Sequence, residues 1–408
     1  GTDADLIDMT ALNQITSLDS QRGILEAGAG ATWPGVIDYC WRAQEGDARP
    51  WGIVQKQTGA DVLTLGGGLA SNVHGRGLCM RPIVQDVESF TLVTPSGEVV
   101  ECNRSNNVDL FRLVIGGYGL FGVVAGVKLR LAPRIRLRRI VKEVGVDELM
   151  AAFGQRIASG CTHGDWQYVV DPRSPDFLTK GILACYQPVE DRDGRARNTH
   201  HELSAMQWEE LYRLAFTDKA AAYKAYSEYY LATDGQLYWS DTHQLTTYLD
   251  DYHGILSRDP GFRNPASLMI TELYVPRENL AAFMRDAQKT ALKEGFDVIY
   301  GTVRLIEKDG ESFLPWAKEP YACVIFNLLV EHSPAGIEKA KREFRALIDA
   351  ALHYGGSYYL TYHRWARKDQ VQACYPQFGE FLQAKARHDP AGLIRSDWYS
   401  HYWQMLGA

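Results

Sequence analysis

The segment Gly117-Tyr-Gly119-Leu-Phe-Gly122 narrows the fold more than any other in this chain. Its GxGxxG spacing is that of the phosphate-binding turn in doubly wound parallel sheets, where a strand leads in and a helix leads out. Here the order is reversed. Asp109 to Ile115 reads as a short helix, and Val123-Val124 opens a β-branched strand that runs to Leu131 and stops before Pro133. The parallel-sheet reading is therefore excluded. What remains is a tight helix-to-strand turn in which glycine alone tolerates the backbone, and such a turn can still touch a ligand.

A second glycine-rich segment runs from Thr64 to Gly77 as Thr-Leu-Gly-Gly-Gly-Leu-Ala-Ser-Asn-Val-His-Gly-Arg-Gly. Val62 to Leu65 reads as a brief apolar strand, and Gly66-Gly67-Gly68 after it exposes successive backbone N–H groups. Such a nest holds a phosphate or a carbonyl-rich ring, and the missing side chains let a flat ligand approach. Ser71 and Asn72 add short polar groups, His74 adds a titratable ring, and Gly75 and Gly77 keep the far side open. Taken alone, the same residues also describe a glycine-rich turn beside a satisfied core histidine.

Around these segments the first third reads as short strands and turns. Ile24 to Ala27 is one strand, Thr32-Trp-Pro34 starts a helix with Thr as N-cap, and Pro95-Ser-Gly97 joins Val87–Val93 to Glu98–Glu101 as a hairpin. Leu6-Ile-Asp-Met9 reads as a strand directly after the first five residues; with no initiator Met, the reading expects a segment to precede Gly1. From about Arg138 the pattern changes. Amphipathic helices at Leu149–Ile157, Lys219–Leu231, Leu280–Lys293 and Ile337–Ala351 alternate with strands. The strands are Trp166–Val170, Ile182–Tyr186, Leu268–Val275, Val298–Leu305, Ala322–Val330 and Tyr358–Tyr362. That is an α+β layer, an antiparallel sheet covered on one face by helices. From Gln370 a helix is expected through Lys385, followed by Asp389-Pro-Ala-Gly392.

At 408 residues the chain exceeds what one core usually supports, so two domains are expected. A net charge of −7 gives no reason to expect nucleic acid or an anionic membrane as partner, and no apolar run approaches the ~20 residues of a membrane span. The basic stretch Arg134-Ile-Arg136-Leu-Arg138-Arg139 alternates with apolar residues and reads as the solvated face of a strand rather than a phosphate patch. Seven scattered cysteines without metal-ligand spacing suggest reduced thiols and a cytoplasmic protein, and no metal site is expected. His200-His201 reads as a surface loop rather than a metal site.

Three segments carry a resemblance in order and spacing. They are Thr64-Leu-Gly-Gly…Ser-Asn-Val-His-Gly, then Asp86-Val-Glu-Ser-Phe-Thr-Leu-Val-Thr-Pro-Ser-Gly-Glu98, then Asp109-Leu-Phe…Gly116-Gly-Tyr-Gly-Leu-Phe-Gly122. Together they resemble the FAD-binding domain of the vanillyl-alcohol oxidase and p-cresol methylhydroxylase (PCMH) superfamily, and among its members the sugar-lactone and alditol oxidases and decaprenylphosphoryl-ribose oxidases. The tail, Tyr375-Pro…Phe381…Lys385…Asp389-Pro-Ala-Gly392, resembles it too. The resemblance implies an α+β fold with a PCMH-type FAD-binding domain at 1–137, lacking its N-terminal pyrophosphate loop. It also implies a substrate domain at 138–365 and a tail at 366–408 that returns to the first. The cofactor implied is FAD.

The positions implied for the flavin and its pyrophosphate are Gly59, Thr64, Leu65, Gly66, Gly67, Ser71, Asn72, Val73 and His74, with Val124 at the adenine end and Tyr359 against the ring. For catalysis the resemblance points to Arg304, Tyr362, Glu272 and Cys323. Tyr362 stands where the sugar oxidases have a Lys and cannot supply its charge, which leaves Arg304, mid-strand among apolar neighbours, as the cation for reduced flavin. Arg304 also reads as a salt-bridged sheet residue, and a plain buried thiol is the favoured reading of Cys323. The function implied is oxidation of a C–OH group of a sugar, polyol, lactone or similar small-molecule alcohol, with oxygen or another electron acceptor left open. Two other readings stand beside it. One is flavin-dependent tailoring of a larger metabolite held by the aromatic residues Tyr223, Tyr226, Tyr229, Tyr230, Tyr238 and Trp239. The other is a non-catalytic flavin-fold protein that binds a partner.

Overall fold

In the computed structural model, which describes residues 5–190, 201–246 and 264–407, two antiparallel sheets organise the chain. The first is built from β1 (Ile15–Asp19), β2 (Ile24–Gly28), β3 (Trp51–Ile53), β4 (Val87–Val93), β5 (Val99–Asn103) and β6 (Val123–Pro133), in the order β1-β2-β6-β4-β5 with β3 also on β6. Helix α1 (Trp33–Ala43) starts after Thr32 with Pro34 in its first turn, as expected, although the Thr32 side chain makes no capping bond. Pro95-Ser-Gly97 does turn β4 into β5, with Gly97 at φ +84°.

The GxGxxG segment is the tight connection anticipated between α3 (Val108–Val114) and β6. Gly119 and Gly122 have φ of +72° and +148°, and a Cβ on Gly117 would lie 1.9 Å from the carbonyl oxygen of Leu113. Two expectations nearby fail. Val62 to Leu65 is not a strand; Leu65–Ser71 is a helix, α2, capped by the Thr64 side chain, and Thr64 makes only an isolated bridge to Thr32. Leu6 to Met9 is not a strand either, and Leu6 is 92% exposed.

The second sheet has the order β10-β7-β9-β8-β12-β13-β11-β14. Its strands are β7 (Arg136–Gly145), β8 (His163–Tyr168), β9 (Lys180–Val189), β10 (Leu237–Trp239), β11 (Ala266–Pro276), β12 (Val298–Ile306), β13 (Tyr321–Glu331) and β14 (Ser357–Tyr358). The last is shorter than expected, because Tyr359 to Tyr362 leave the ladder. Successive residues of a strand face opposite sides, so the register sorts the sheet into rows. One row, Leu183, Trp166, Val303, Val324 and Leu273, is apolar across five strands. It lies toward α4 (Val146–Ala158), α7 (Leu280–Glu294) and α8 (Pro334–His353), which bury Phe153, Phe283, Met284, Phe344 and Leu347. The next row is polar and faces the first sheet.

The tail is three helices rather than one, α9 (Lys368–Cys374), α10 (Phe378–His388) and α11 (Asp397–Leu406). Tyr375-Pro376 breaks the expected continuous helix, since proline cannot continue one. Phe381 packs edge-on to Phe121 at 5.2 Å and Trp398 stacks on Tyr118 at 4.2 Å, so the tail covers the glycine turn of the first sheet. Between the two long helical stretches, α5 (Ala205–Thr217) and α6 (Lys219–Ala232) form a pair; His200 lies outside the described residues and His201 is exposed.

The basic stretch is solvated only in part: Arg138 is exposed and Arg136 half-buried, but its two ends are not. Arg134 and Arg139 are each only 7% exposed. Arg134 bonds Asp241 at 2.6 Å and lies between the rings of Trp41 and Trp239 at 4.3 and 4.1 Å. Arg139 donates to Tyr186 Oη and Thr233 Oγ1 and lies 4.4 Å from the ring of Tyr238. These partners come from distant segments, so alternation alone suggested the wrong environment. Arg134→Met leaves Asp241 buried without its cation and should lower stability by about 3–5 kcal/mol in urea unfolding. Arg134→Met with Asp241→Asn should recover most of that loss; a double variant no more stable than the single one would show that the ion pair is not the source.

His163 and His363 are buried, and burial holds both imidazoles down at about 4 against an ordinary 6.5, with Arg76 adding to the effect at His163. Between those values the unfolded chain takes up protons that the folded chain refuses, so stability falls on acidification from pH 6.5 toward 4. Each histidine is worth on the order of 3 kcal/mol over that window. Unfolding free energy measured from pH 7 to 4.5 should fall steadily, and a flat profile would rule the buried neutral histidines out as its cause.

Candidate active site

The polar row of the second sheet builds the site. Arg304 on β12 pairs directly with Cys323 on β13, and Cys323 with Tyr274 on β11; Glu272 lies two residues from Tyr274 and shares its side. Arg304, Cys323, Tyr274 and Glu272 are all nearly or fully buried. Against this row lie two loops from the half of the chain that builds the first sheet. Gln57 Oε1 accepts from the backbone of His74, and Gln55 Oε1 from that of Gly75. A Cβ on Gly75 would stand 2.8 Å from the carbonyl oxygen of Lys56, which explains the glycine. The strand-like stretch from Arg76 to Leu78 then pairs with Thr162 to Gly164 at the start of β8. The glycine segment is thus fastened to both sheets, and His74 is delivered to Glu272.

Glu272 Oε1 is the hub. His74 Nε2 stands 2.5 Å from it, the Cys323 thiol 2.7 Å and the Tyr274 hydroxyl 3.0 Å. His74 Nδ1 contacts the carbonyl oxygen of Gly75 at 3.0 Å, and the ring lies 5.0 Å from that of Trp316. Burial opposes the charge of Glu272, but His74, the Cys323 hydrogen bond and Arg304 together hold its carboxyl down at about 2. Burial and the adjacent carboxylate push the Cys323 thiol up, so it stays protonated and donates rather than attacks. Burial likewise raises Tyr362, whose hydroxyl accepts from Gln57 Nε2 at 3.2 Å. His74, Glu272 and Cys323 offer three donor atoms to a metal. The 2.5 and 2.7 Å separations fall well short of the roughly 3.3–3.8 Å between donors of a tetrahedral ion, so the three hydrogen-bond one another instead.

Buried polar atoms are normally paired. On this side of the sheet several are not: among the described residues, Glu272 Oε2, Arg304 Nε and Nη1, and Arg76 Nε have no hydrogen-bond partner. These atoms, one acceptor oxygen and three donor nitrogens, are free to meet a polar ligand. Arg304 therefore departs from the salt-bridged alternative.

The cofactor positions separate into two groups. An isoalloxazine ring fits the polar row, whose open donors and acceptor match its carbonyl-rich, charge-accepting edge, with His74 and Tyr359 nearby. Tyr359 donates its hydroxyl to the carbonyl of Ser71 and its N–H to that of Glu272, tying α2 to β11. The nest anticipated at α2 is absent. The amides of Leu65, Gly66, Gly67 and Gly68 are bonded to Ala31 O, Ala29 O, Thr64 Oγ1 and Thr64 O. Gly66 is glycine because a Cβ there would press Ala29 at 3.1 Å. Asn72 is a left-handed C-cap whose amide bonds Asp309 and Val84, and Val73 is core. Gly59 is a turn residue at φ +85°, and Val124 pairs with Leu92 in β6. Sequence reasoning missed Lys56, Gln57 and Tyr274, which carry no local signal, and passed over Arg76, whose setting between two glycines was one.

A family model described as FAD binding domain matches residues 1–103. Cytokinin dehydrogenase 1 of Oryza sativa subsp. japonica is 26% identical over 362 residues, covering 81% of this chain; the chain spans 66% of that relative's length, just under two thirds. Decaprenylphosphoryl-beta-D-ribose oxidase of Mycolicibacterium smegmatis is 22% identical over 410 residues, covering 96% of this chain and 83% of the relative. A solved structure of a solvent-stable cholesterol oxidase shares the fold, with a TM-score of 0.69 at 18% identity over 98% of this chain and 85% of that one. The chain therefore carries an FAD binding domain and resembles PCMH-type FAD oxidoreductases along most of its length.

Proposed function

We propose that this protein oxidises a C–OH group of a small polar alcohol, such as a sugar, polyol or lactone, with FAD as its cofactor. The observation that carries the reading is the pair of open groups on one buried row, the Glu272 Oε2 acceptor and the Arg304 donors. FAD, when bound, supplies the acceptor for a hydride from the carbon that bears the hydroxyl. The chain's own residues do the rest. Glu272, ionised at every working pH, accepts the substrate O–H at Oε2, and its Oε1 is immobilised by His74, Tyr274 and Cys323. With its pKa near 2, Glu272 orients that proton but does not keep it, and as the hydride leaves the proton passes on through the Tyr362 hydroxyl that contacts the Glu272 carboxylate. Arg304 supplies a fixed positive charge near Glu272, in a site of low dielectric where such a charge is most effective. Tyr362, held by Gln57 and kept neutral by burial, orients or relays a proton but supplies no charge.

Anaerobic mixing of the FAD-loaded protein with a panel of alcohols, sugars and polyols tests the reading directly: at least one should bleach the flavin absorbance, and a panel-wide failure would count against alcohol oxidation. With the best of these, Arg304→Ala should slow flavin reduction by about 10²–10³, while Arg304→Lys keeps a good part of the rate. Tyr362→Phe should cost less and act mainly on the pH dependence. An inactive Tyr362→Phe beside a normal Arg304→Ala would transfer the principal role to the phenol. Glu272→Gln should raise KM and lower kcat together by about 10–100-fold, since the orienting acceptor becomes a poorer one. Unchanged kinetics with a lowered Tm would make Glu272 a packing residue.

A further inference from the structure

Three buried cations converge beside the reacting groups, and the proposed alcohol oxidation uses only one of them. The Lys56 side chain has no exposure; its Nζ pairs with Asp61 at 2.5 Å and donates to the carbonyl of Gln57. Arg76 follows the Gly75 that touches Lys56. Its guanidinium lies 5.0 Å from the ring of Tyr186, donates to the carbonyl of His243 and stands 3.6 Å from Asp165, which leaves Nε open. On the sheet, Thr302 pairs with Gln167 and Val303 with Trp166; the same register carried one step further sets Arg304 beside Asp165. Asp165 thus stands within ion-pair distance of Arg76 and one register step from Arg304 on the neighbouring strand. Tyr300 feels the charges of Arg76, Arg304 and Asp165 together, and Lys56 feels both guanidiniums.

Resting on the alcohol-oxidation reading, we infer that the substrate is a hydroxy acid, whose carboxylate is held between the free N–H groups of Arg76 and Arg304 while Glu272 Oε2 takes its hydroxyl. Three open nitrogens on two guanidiniums suit the two oxygens of a planar carboxylate. Asp165 already shares the Arg76 charge, so the position accommodates one negative charge better than the two of a phosphate monoester. Buried N–H groups without a partner are costly, and a ligand that meets them removes the cost.

The test uses the FAD-loaded protein and a series of hydroxy acids from glycolate to 4-(hydroxymethyl)benzoate, each paired with its neutral primary amide. Binding is measured by calorimetry, and flavin reduction separately. At least one acid should bind roughly 10–100-fold more tightly than its amide. Arg76→Gln should bring that ratio close to one, and Arg76→Lys, which keeps the charge, should preserve most of it. The melting temperature of each variant identifies a folding defect, and the Lys variant keeps the test decisive if the Gln variant is unstable. Acids no tighter than amides throughout the series, or a ratio untouched by Arg76→Gln, overturn the subsite. Inorganic phosphate that competes better than benzoate overturns the choice of carboxylate. If the acids bind as expected but neither they nor neutral alcohols reduce the flavin, the subsite stands and the oxidation reading falls. If neutral alcohols reduce the flavin while acids gain nothing, the reverse holds.

Discussion

A sheet buried on both sides ordinarily carries apolar residues on both. The second sheet of this protein does so on the helix side and breaks the rule on the other, where Arg139, Asp165, Arg304, Cys323 and Glu272 stand among its buried or half-buried residues. Every one of those groups costs free energy unless something meets it. Much of what is irregular around the first sheet does that work: the loop from Gln55 to Gln57, the glycines that let Gly75 approach Lys56, and the delivery of His74 to Glu272. The polar groups of the second sheet are thus completed by loops that come from the first.

Charge is handled differently in different parts of that interface. Glu272 is ringed by donors and stays ionised despite burial, whereas His163 and His243 are left without anionic partners and stay neutral. Arg139 is met by phenol oxygens and ring faces rather than by a carboxylate. The aromatic residues suggested as a pocket for a larger substrate are thereby partly explained: Tyr230 and Tyr238 pack on Arg139, and Trp239 packs on Arg134. Among Arg134, Arg139 and Arg304, only Arg304 leaves buried guanidinium nitrogens without a hydrogen-bond partner, which is why we assign it to chemistry. Among the described residues no helix is long and apolar enough to cross a membrane, and all seven cysteines are free.

What the amino-acid sequence determined by itself was local and periodic. Alternation placed β11, β12 and β13 within a residue or two of their observed ends, helical spacing placed α4, α6, α7 and α8, and the glycine pattern at 117–122 excluded a parallel nucleotide-binding sheet because its flanks were in the wrong order. Resemblance to a family then singled out His74, Glu272, Cys323, Arg304 and Tyr362, which lie far apart in the chain and close together in the fold. Tertiary structure decided everything that depends on who meets whom. Three glycines in a row read as an open nest but form a helix whose amides are consumed by Ala29, Ala31 and Thr64. An alternating basic stretch read as solvated, yet Arg134 and Arg139 within it are buried, because Trp41, Asp241, Tyr186 and Thr233 reach them from elsewhere. Lys56, Gln57 and Arg76 carried no periodic signal at all. Periodicity records which side of an element is turned inward; it holds no information about which distant group waits there, and in this protein the chemistry lies in those distant pairs.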